Sequence, residues 1–439
     1  MFGTSGIRGS FGSDVTAALA LDIGRALAVD GASRVVIGRD PRLTGDLLTD
    51  ALAAGVRECG GDVVDLGLAA TPTVARSVAW QDADAGVSVT ASHNPPADNG
   101  IKLWTPSGMA FDEDRRERIS ELLAAGAFDP AGWDAVGDRR RWEGARARHA
   151  SAVGDAVDVS EDLCVVVDVG NGAGGVTVDA LRAAGCSVET LNEGPDGRFP
   201  ARPSEPTPDH CRILRSVVTE TGADLGIAHD GDADRMLAVD DSGAFVPGDV
   251  LLALFAREAA GSDDRVAAPV NTSLAVDDAL AGVGASVVRT RVGDVFVAEH
   301  ARENDVVFGG EPSGAWIWPA ETLCPDGTLA AAKLVALVAR RGALSNLAGA
   351  IDQYPLRRES RGVDDKAAVM ESVGVAADER YDNIDRRDGV RIETGDGWLL
   401  VRASGTEPLV RLTAQARDPQ RADELLAAGH ALVDGAVEE

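Results

Sequence analysis

The chain has 439 residues, 45% of them hydrophobic and 26% charged, with a formal net charge of −29. That composition predicts a soluble protein of three or four domains and excludes a nucleic-acid partner, whose basic footprint is missing. No apolar run approaches the roughly 20 residues of a membrane span, and Met1 leads into Phe2-Gly3-Thr4 without a basic leader, so no membrane partner and a cytoplasmic location are expected.

In chain order, the first loop carries Arg8 in Gly6-Ile7-Arg8-Gly9, where glycines let backbone approach a ligand closely. Strands are predicted at 34–37 and 63–66, with helical spacing at 46–58 between them. Residues 83–90 then alternate as a strand and stop in Thr90-Ala91-Ser92-His93-Asn94-Pro95, with Pro96 following. The prolines stiffen this turn and keep it out of helix. Ser92 therefore stands exposed at a strand end, where α/β sheets keep their chemistry, as a nucleophile or phosphate carrier that needs activation. The plainer reading is a turn, since these residue types favour turns. Lys102 follows ten residues later. It is one of three lysines, with Lys333 and Lys366, among 42 basic residues. A partly desolvated lysine can serve as acid or base where arginine cannot; the alternative, a solvated surface cation, is a role this composition gives to arginine. The charged stretch 139–148 reads as a linker.

Strands at 164–168, 188–191 and 225–228 and helices at 177–184 and 209–221 continue the α/β pattern. The last of these strands runs into His229-Asp230-Gly231-Asp232-Ala233-Asp234-Arg235. Carboxylates at every second position on a loop can turn toward one hard cation, Mg²⁺ or Ca²⁺. An EF-hand loop fails, because Arg235 stands where it needs glycine and the flanks are strands rather than helices. An acidic turn without a metal leaves three repelling carboxylates. Strands at 265–269 and 286–289 and a helix at 274–281 precede Gly309-Gly310-Glu311-Pro312-Ser313-Gly314, where Glu311 and Ser313 suit neighbouring sugar hydroxyls. Residues 357–363 read as closing this third unit. The last segment, with strands near 390–393 and 398–401 and a helix from Pro419, carries Arg402-Ala403-Ser404-Gly405-Thr406-Glu407-Pro408 and Arg411. Two arginines, two hydroxyls and an approachable backbone make a phosphate cradle, without the GxxxxGK[ST] of a nucleotide loop.

An internal repeat accompanies these motifs. Asp50-Ala51-Leu52, Asp179-Ala180-Leu181 and Asp278-Ala279-Leu280 each run through glycine to a β-branched strand, which predicts three similar domains in a row. The five cysteines are scattered, with no CxxC pair, and read as buried small hydrophobes in a reducing compartment. Acidic residues spread along the whole chain suit concentrated salt.

The four motifs in this order resemble the α-D-phosphohexomutase superfamily from Phe2 to Arg411. The resemblance implies an α/β fold: three similar α/β domains with mixed sheets plus a C-terminal α+β cap, heart-shaped around a central cleft. The boundaries read as 1–144, 145–246, 247–353 and 354–439. It implies that Ser92 carries a phosphoryl group and holds one Mg²⁺ with Asp230, Asp232 and Asp234. Lys102 would be the general acid/base, assisted by Arg8 and His93. Arg235, Glu311 and Ser313 would bind the sugar, and Arg402, Ser404, Gly405, Thr406 and Arg411 the phosphate that is not reacting. Many bacterial relatives have histidine where this chain has Ala315; Gly309 to Pro319 looks most like archaeal members assigned to phosphoglucosamine interconversion. The expected partner is a hexose or hexosamine phosphate, with the protein a monomer or homodimer. Phosphomannomutase or phosphoglucomutase activity is the nearest alternative, and a non-catalytic sugar-phosphate sensor the alternative of another class.

Overall fold

The computed structural model describes every residue except 1, 2, 4, 5, 160, 405–407 and 439. Four sheets follow one another along the chain. In the first, the central strand Arg34–Arg39 lies between Asp62–Leu68 and Ala85–Val89, parallel to both. Asp98–Trp104 then adds antiparallel to Ala85–Val89, and Ile7–Ser10 closes that edge. The second sheet repeats the plan: Cys164–Asp168 lies between parallel Ser187–Leu191 and Leu225–His229, and Met236–Asp240 returns antiparallel. The third repeats it again, with Arg265–Pro269 central, Ser286–Thr290 and Val306–Gly310 parallel, and Trp316–Ile317 antiparallel.

The Asp-Ala-Leu repeat now has a structural meaning. Its three copies sit in helices Gly45–Glu58, Gly175–Ala183 and Leu274–Ala281, each the crossover from a central strand to its parallel neighbour. The repeat has a second consequence. The serine, aspartate and glutamate loops all occupy one topological place, the link between the third parallel strand and the antiparallel return. Three copies of one connection supply three parts of one site.

The fourth sheet is antiparallel throughout: Leu356–Gly362, Leu409–Ala416, Gly397–Ala403, Val390–Glu393 and Ile384–Asp385, backed by helices Lys366–Asp378 and Pro419–Glu438. Residues 357–363, expected to close the third unit, instead open this sheet, because Leu356–Gly362 pairs residue for residue with Leu409–Ala416. The stretch read as a linker is also ordered. Arg139–Arg141 is an edge strand beside Asp62–Leu68, and its charge is consumed locally: Arg139 pairs with Asp50 and Asp65, and Arg141 with Asp65. Helix Ala145–Asp155 follows.

Burial explains why the strands form. Val35, Val36 and Ile37 are fully enclosed, as are Val165, Val166 and Val167, the two-faced burial of a parallel sheet between helices. The second and third units share one continuous core, in which Val167 and Ile227 join Leu252, Trp316 and Leu334; the fourth has its own. Cys186, Cys211 and Cys324 are buried as expected, whereas Cys59 and Cys164 are half-buried. Among the described residues no helix is long and apolar enough to cross a membrane.

Candidate active site

Ser92 sits where the first unit meets the second, and it is buried, not exposed: only 1% of its surface is accessible. The loop around it packs under the metal-type loop, and there its Oγ donates to Asp230 Oδ2 at 2.6 Å. Gly231 makes the approach feasible, since a Cβ there would stand 2.6 Å from the Ser92 carbonyl. Both loops hold a non-glycine residue in the left-handed region, Ser92 at φ 53° and Ala233 at φ 56°. Each costs roughly 1–3 kcal/mol and persists only where the surroundings over-determine it.

His93 Nδ1 lies 3.2 Å from Ser92 Oγ. Burial, reinforced by the charges of Arg235 and Arg8, pushes its pKa down to about 3, so the imidazole is neutral near pH 7. Asp230, Asp232 and Asp234 are all buried, with a ligand oxygen from each within 4.8 Å of the others. Asp232 Oδ1 and Asp234 Oδ1 are buried with no partner among the described residues. A set of hard oxygens with partnerless, converging lone pairs fits a magnesium ion. Burial, with repulsion from its two neighbours, drives the Asp230 carboxyl well above the usual range.

Lys102 reaches the same cluster. Its Nζ lies 2.8 Å from Asp232 Oδ2 and 2.5 Å from Asp234 Oδ2. The lysine is fully rather than partly desolvated, at 3% exposure. Burial does disfavour the ammonium, but Asp232 and Asp234 more than offset it, and the lysine's pKa is raised. Asp232 is the reciprocal case: burial raises its pKa, and Lys102 overcomes that and holds it below the carboxylate range. Thr71 adds a second grip, its Oγ1 donating to Asp232 Oδ2 at 2.6 Å and its N–H to the Asp232 carbonyl at 2.9 Å.

Arg8 lies on the edge strand in register with Gly100; its charge bears on His93 and Lys102, and its Nε is buried without a partner among the described residues. Arg235 connects two loops. Its backbone bridges to Ala315, while its charge faces Asp230, Asp234 and Glu311, which raise its pKa against the opposing effect of burial. Ala315 is thus enclosed backbone filler, 4% exposed, whose carbonyl accepts the Glu311 N–H at 2.9 Å. Glu311 Oε1 accepts from Gly293 N–H at 2.7 Å and Oε2 from Ser313 Oγ at 3.2 Å. Burial, helped by Asp294, pushes its pKa up to about 7.

Glu311 and Ser313 share a cavity of about 540 Å³ with Arg402, Arg411 and Arg358. Arg402 and Arg411 are opposite one another on paired strands, so both point to one side of the sheet. Ser404 is buried and its carbonyl accepts Lys366 Nζ at 2.6 Å. Gly405 and Thr406, the remaining expected phosphate ligands, lie outside the described residues. The fold therefore gathers two groups: serine, carboxylates and lysine at the junction of the first two units, and sugar-type and phosphate-type residues between the third and fourth. The sequence reading missed Arg358, Thr71, and the pair Asp40 and Arg42 behind the serine loop. Only the last had a usable signal, a charged pair just past a predicted strand end.

The four domain signatures of the phosphoglucomutase/phosphomannomutase family match in order: α/β/α domain I at residues 1–129, domain II at 147–243, domain III at 247–354 and the C-terminal domain at 361–429. A "Probable phosphoglucosamine mutase" of Methanococcoides burtonii is 46% identical over 421 residues, 95% of each chain. Among solved structures, a phosphoglucomutase/phosphomannomutase family protein from Burkholderia thailandensis superposes with a TM-score of 0.89 at 26% identity, covering 99% of this chain and 98% of that one. The N-acetylphosphoglucosamine mutase of Aspergillus fumigatus, solved with GlcNAc-6P and magnesium, shares the fold at TM-score 0.62 and 16% identity, covering 99% and 96%.

Proposed function

The chain belongs to the phosphoglucomutase/phosphomannomutase family, and on that premise we propose that it is a phosphoglucosamine mutase, interconverting the 6- and 1-phosphates of glucosamine. The observation that carries the proposal is the buried Ser92 hydroxyl held against Asp230 beside two carboxylates with unpartnered oxygens. A sensor needs sugar and phosphate contacts but no phosphate carrier.

In this reading Ser92 bears the phosphoryl group. A sugar hydroxyl attacks phosphorus, the bond from phosphorus to Ser92 Oγ breaks, and the sugar leaves the first step as a bound 1,6-bisphosphate. The sugar turns over, its other phosphate passes to Ser92 Oγ, and the carrier is restored. Ser92, Asp230, Asp232 and Asp234 would hold one Mg²⁺, which when bound neutralises charge on the transferring phosphoryl group. The remaining work belongs to the chain. Lys102, held as an ammonium by Asp232 and Asp234, supplies a fixed positive charge and is the acid/base group: it gives a proton to Ser92 Oγ as the bond to phosphorus breaks and takes the one released by the attacking sugar hydroxyl. Neutral His93 donates one hydrogen bond from Nδ1 to Ser92 Oγ, and Arg8 lends charge from the edge strand. Glu311 and Ser313 bind adjacent hydroxyls in either orientation of the sugar, and Arg402, Ser404 and Arg411 hold the idle phosphate, with Gly405 and Thr406 by family resemblance. Such transfer needs alignment and charge neutralisation above all.

The choice of glucosamine rests on the relative from Methanococcoides burtonii. Glucose and mannose phosphates are the second reading, because Glu311 and Ser313 do not report the group at carbon 2. Pockets discriminate such small changes by only roughly 10–200-fold, so side activities are expected. The acidic surface is taken as adaptation to concentrated salt. The test is kcat/KM for glucosamine, glucose and mannose 1-phosphates in high salt, beside Ser92→Ala and phosphopeptide mapping. Ser92→Ala should abolish turnover and the phosphopeptide. Normal turnover in that variant sinks the covalent mechanism; a clear preference for a neutral sugar overturns the substrate alone.

A further inference from the structure

Behind the serine loop lies a buried ion pair that makes no hydrogen bond to the three aspartates and lies outside the sugar cavity. Arg42 and Asp40 are paired at 2.9 Å with both side chains at zero exposure. The guanidinium turns its other donors onto the serine loop: Nη2 to the carbonyls of Ser92 at 2.9 Å and Asn94 at 2.7 Å, and Nη1 to those of Pro95 at 2.5 Å and Asp98 at 2.9 Å. Asp40 reaches the same loop from the other side. Its Oδ2 accepts from Thr90 Oγ1 at 2.7 Å, and Thr90 Oγ1 accepts from the Ser92 N–H at 2.8 Å. The backbone of Ser92 is thus gripped at its N–H and at its carbonyl by one ion pair.

The same guanidinium crosses the junction between units. Its Cζ lies 5.1 Å from the ring centroid of Phe199, and a Cβ on Gly197 would stand 2.3 Å from the Pro41 carbonyl and 2.5 Å from Arg42 Cα. The second unit therefore presses directly on the arginine that holds the serine of the first. A buried arginine spending four hydrogen bonds on one loop's carbonyls is a costly device for a mere turn. It is an efficient one for holding a left-handed serine at φ 53° against a carboxylate of another unit.

We propose that Arg42, through Asp40, is a positioning residue for phosphoryl transfer: it fixes Ser92 Oγ at the Asp230 carboxylate and so sets the rate of transfer rather than the affinity for sugar. The proposal rests on the mutase reading above. Lysine has three donors, no planar fork and a shorter reach, so it cannot reproduce the grip, and a misplacement of about 1 Å at a reacting atom costs on the order of 100-fold in rate.

The experiment compares parent, Arg42→Lys and Thr90→Val, the last cutting the link from Asp40 to the Ser92 N–H without disturbing the ion pair. The measurements are kcat and KM for the preferred sugar phosphate, and backbone hydrogen exchange across residues 91–98 in the unphosphorylated protein. Arg42→Lys should lower kcat about 100-fold with KM within about threefold of parent, and exchange should quicken in 91–98 while the four sheets keep their protection. Thr90→Val should move both readouts the same way, kcat by about tenfold. If Arg42→Lys fails to fold, Thr90→Val decides alone. Unchanged kcat overturns the proposal, as does a loss of kcat with exchange quickened throughout the protein. Absence of mutase activity in the parent would sink the mutase reading instead, while exchange still reports whether the clamp exists.

Discussion

Among the three aspartates the geometry separates two roles that identical side chains would hide. Asp232 pairs with Lys102 and accepts from Thr71, whereas Asp230 has the Ser92 hydroxyl, the Arg235 N–H and two like-charged neighbours. Asp230→Asn relieves repulsion and keeps an acceptor for Ser92; Asp232→Asn strips a buried ammonium of a partner. Lys102 keeps Asp234 at 2.5 Å, so the cost stays below the roughly 3–5 kcal/mol of leaving a buried charge unpaired. Both variants should lose turnover, but in chelator only Asp232→Asn should melt well below the parent. Equal melting temperatures would count against this division. Glu311 provides a pH test. Its folded pKa, about 7, stands above the ordinary 4.5, so between those values the folded form keeps a proton that the unfolded chain releases. That contribution to stability is greatest below about pH 4.5 and is lost as pH rises through 7. Glu311→Gln should flatten this slope and exceed the parent's stability above pH 7, by up to roughly 3 kcal/mol. Parallel stability curves for the two proteins would show that Glu311 carries no such strain.

At the scale of elements, helix Thr71–Trp80 does more than its ten residues suggest. Its first residue holds Asp232, and Thr73 and Arg76 dock into a buried cluster with His149 and Asp326. Thr73 Oγ1 lies 2.8 Å from His149 Nδ1, His149 Nε2 3.0 Å from Asp326 Oδ2, and Arg76 Nε 2.8 Å from the same oxygen. Asp326 also caps helix Gly327–Arg341 through the Leu329 N–H. Burial works against the Asp326 carboxylate, but His149 and Arg76 hold its pKa below the usual range. One helix thus ties the metal-type loop of the second unit to a helix start in the third. Asp326→Asn should cost roughly 3–5 kcal/mol in a denaturant melt, and a double-mutant cycle with Arg76→Met should recover much of that loss. A cost under about 1 kcal/mol would make the cluster incidental. The cluster was not legible in sequence, because Thr73, Arg76, His149 and Asp326 pair across 76 to 250 residues. What was legible is local. Apolar runs gave strands such as Cys164–Asp168 and Arg265–Pro269 and the helix Leu274–Ala281 at their observed limits, and the motifs around Ser92, Asp230 and Glu311 announced their own loops. Whether Ser92 is exposed, and what Lys102 holds, depends on which loop packs over which, and spacing does not carry that.

For the molecule as a whole, charge is the dominant fact. If each of the 42 lysines and arginines neutralised one of the 71 carboxylates, 29 would still be unmatched, and many of the ion pairs formed are surface pairs such as Arg118 with Asp30 or Arg361 with Asp434. Exposed pairs of this kind contribute about 0–1 kcal/mol each and weaken as salt rises. The uncompensated repulsion weakens as well, and it is spread over the whole surface: the screening length falls from about 10 Å at 0.1 M to about 3 Å at 1 M. The second effect should win, since the excess carboxylates have no attraction to lose. Buried pairs such as Arg42 with Asp40 and Lys102 with Asp232, both nearly inaccessible, are screened little at any salt, so the site should keep its geometry while the surface relaxes. The melting temperature should therefore climb steadily from about 0.1 M to above 1 M KCl, and kcat should follow the folded fraction rather than salt itself. Lithium, sodium and potassium chlorides should act alike at equal ionic strength if screening is the cause. A melting temperature that is flat or falls with salt would mean that the surface pairs outweigh the excess charge. A strong preference for one cation would point to specific ion binding among the carboxylates.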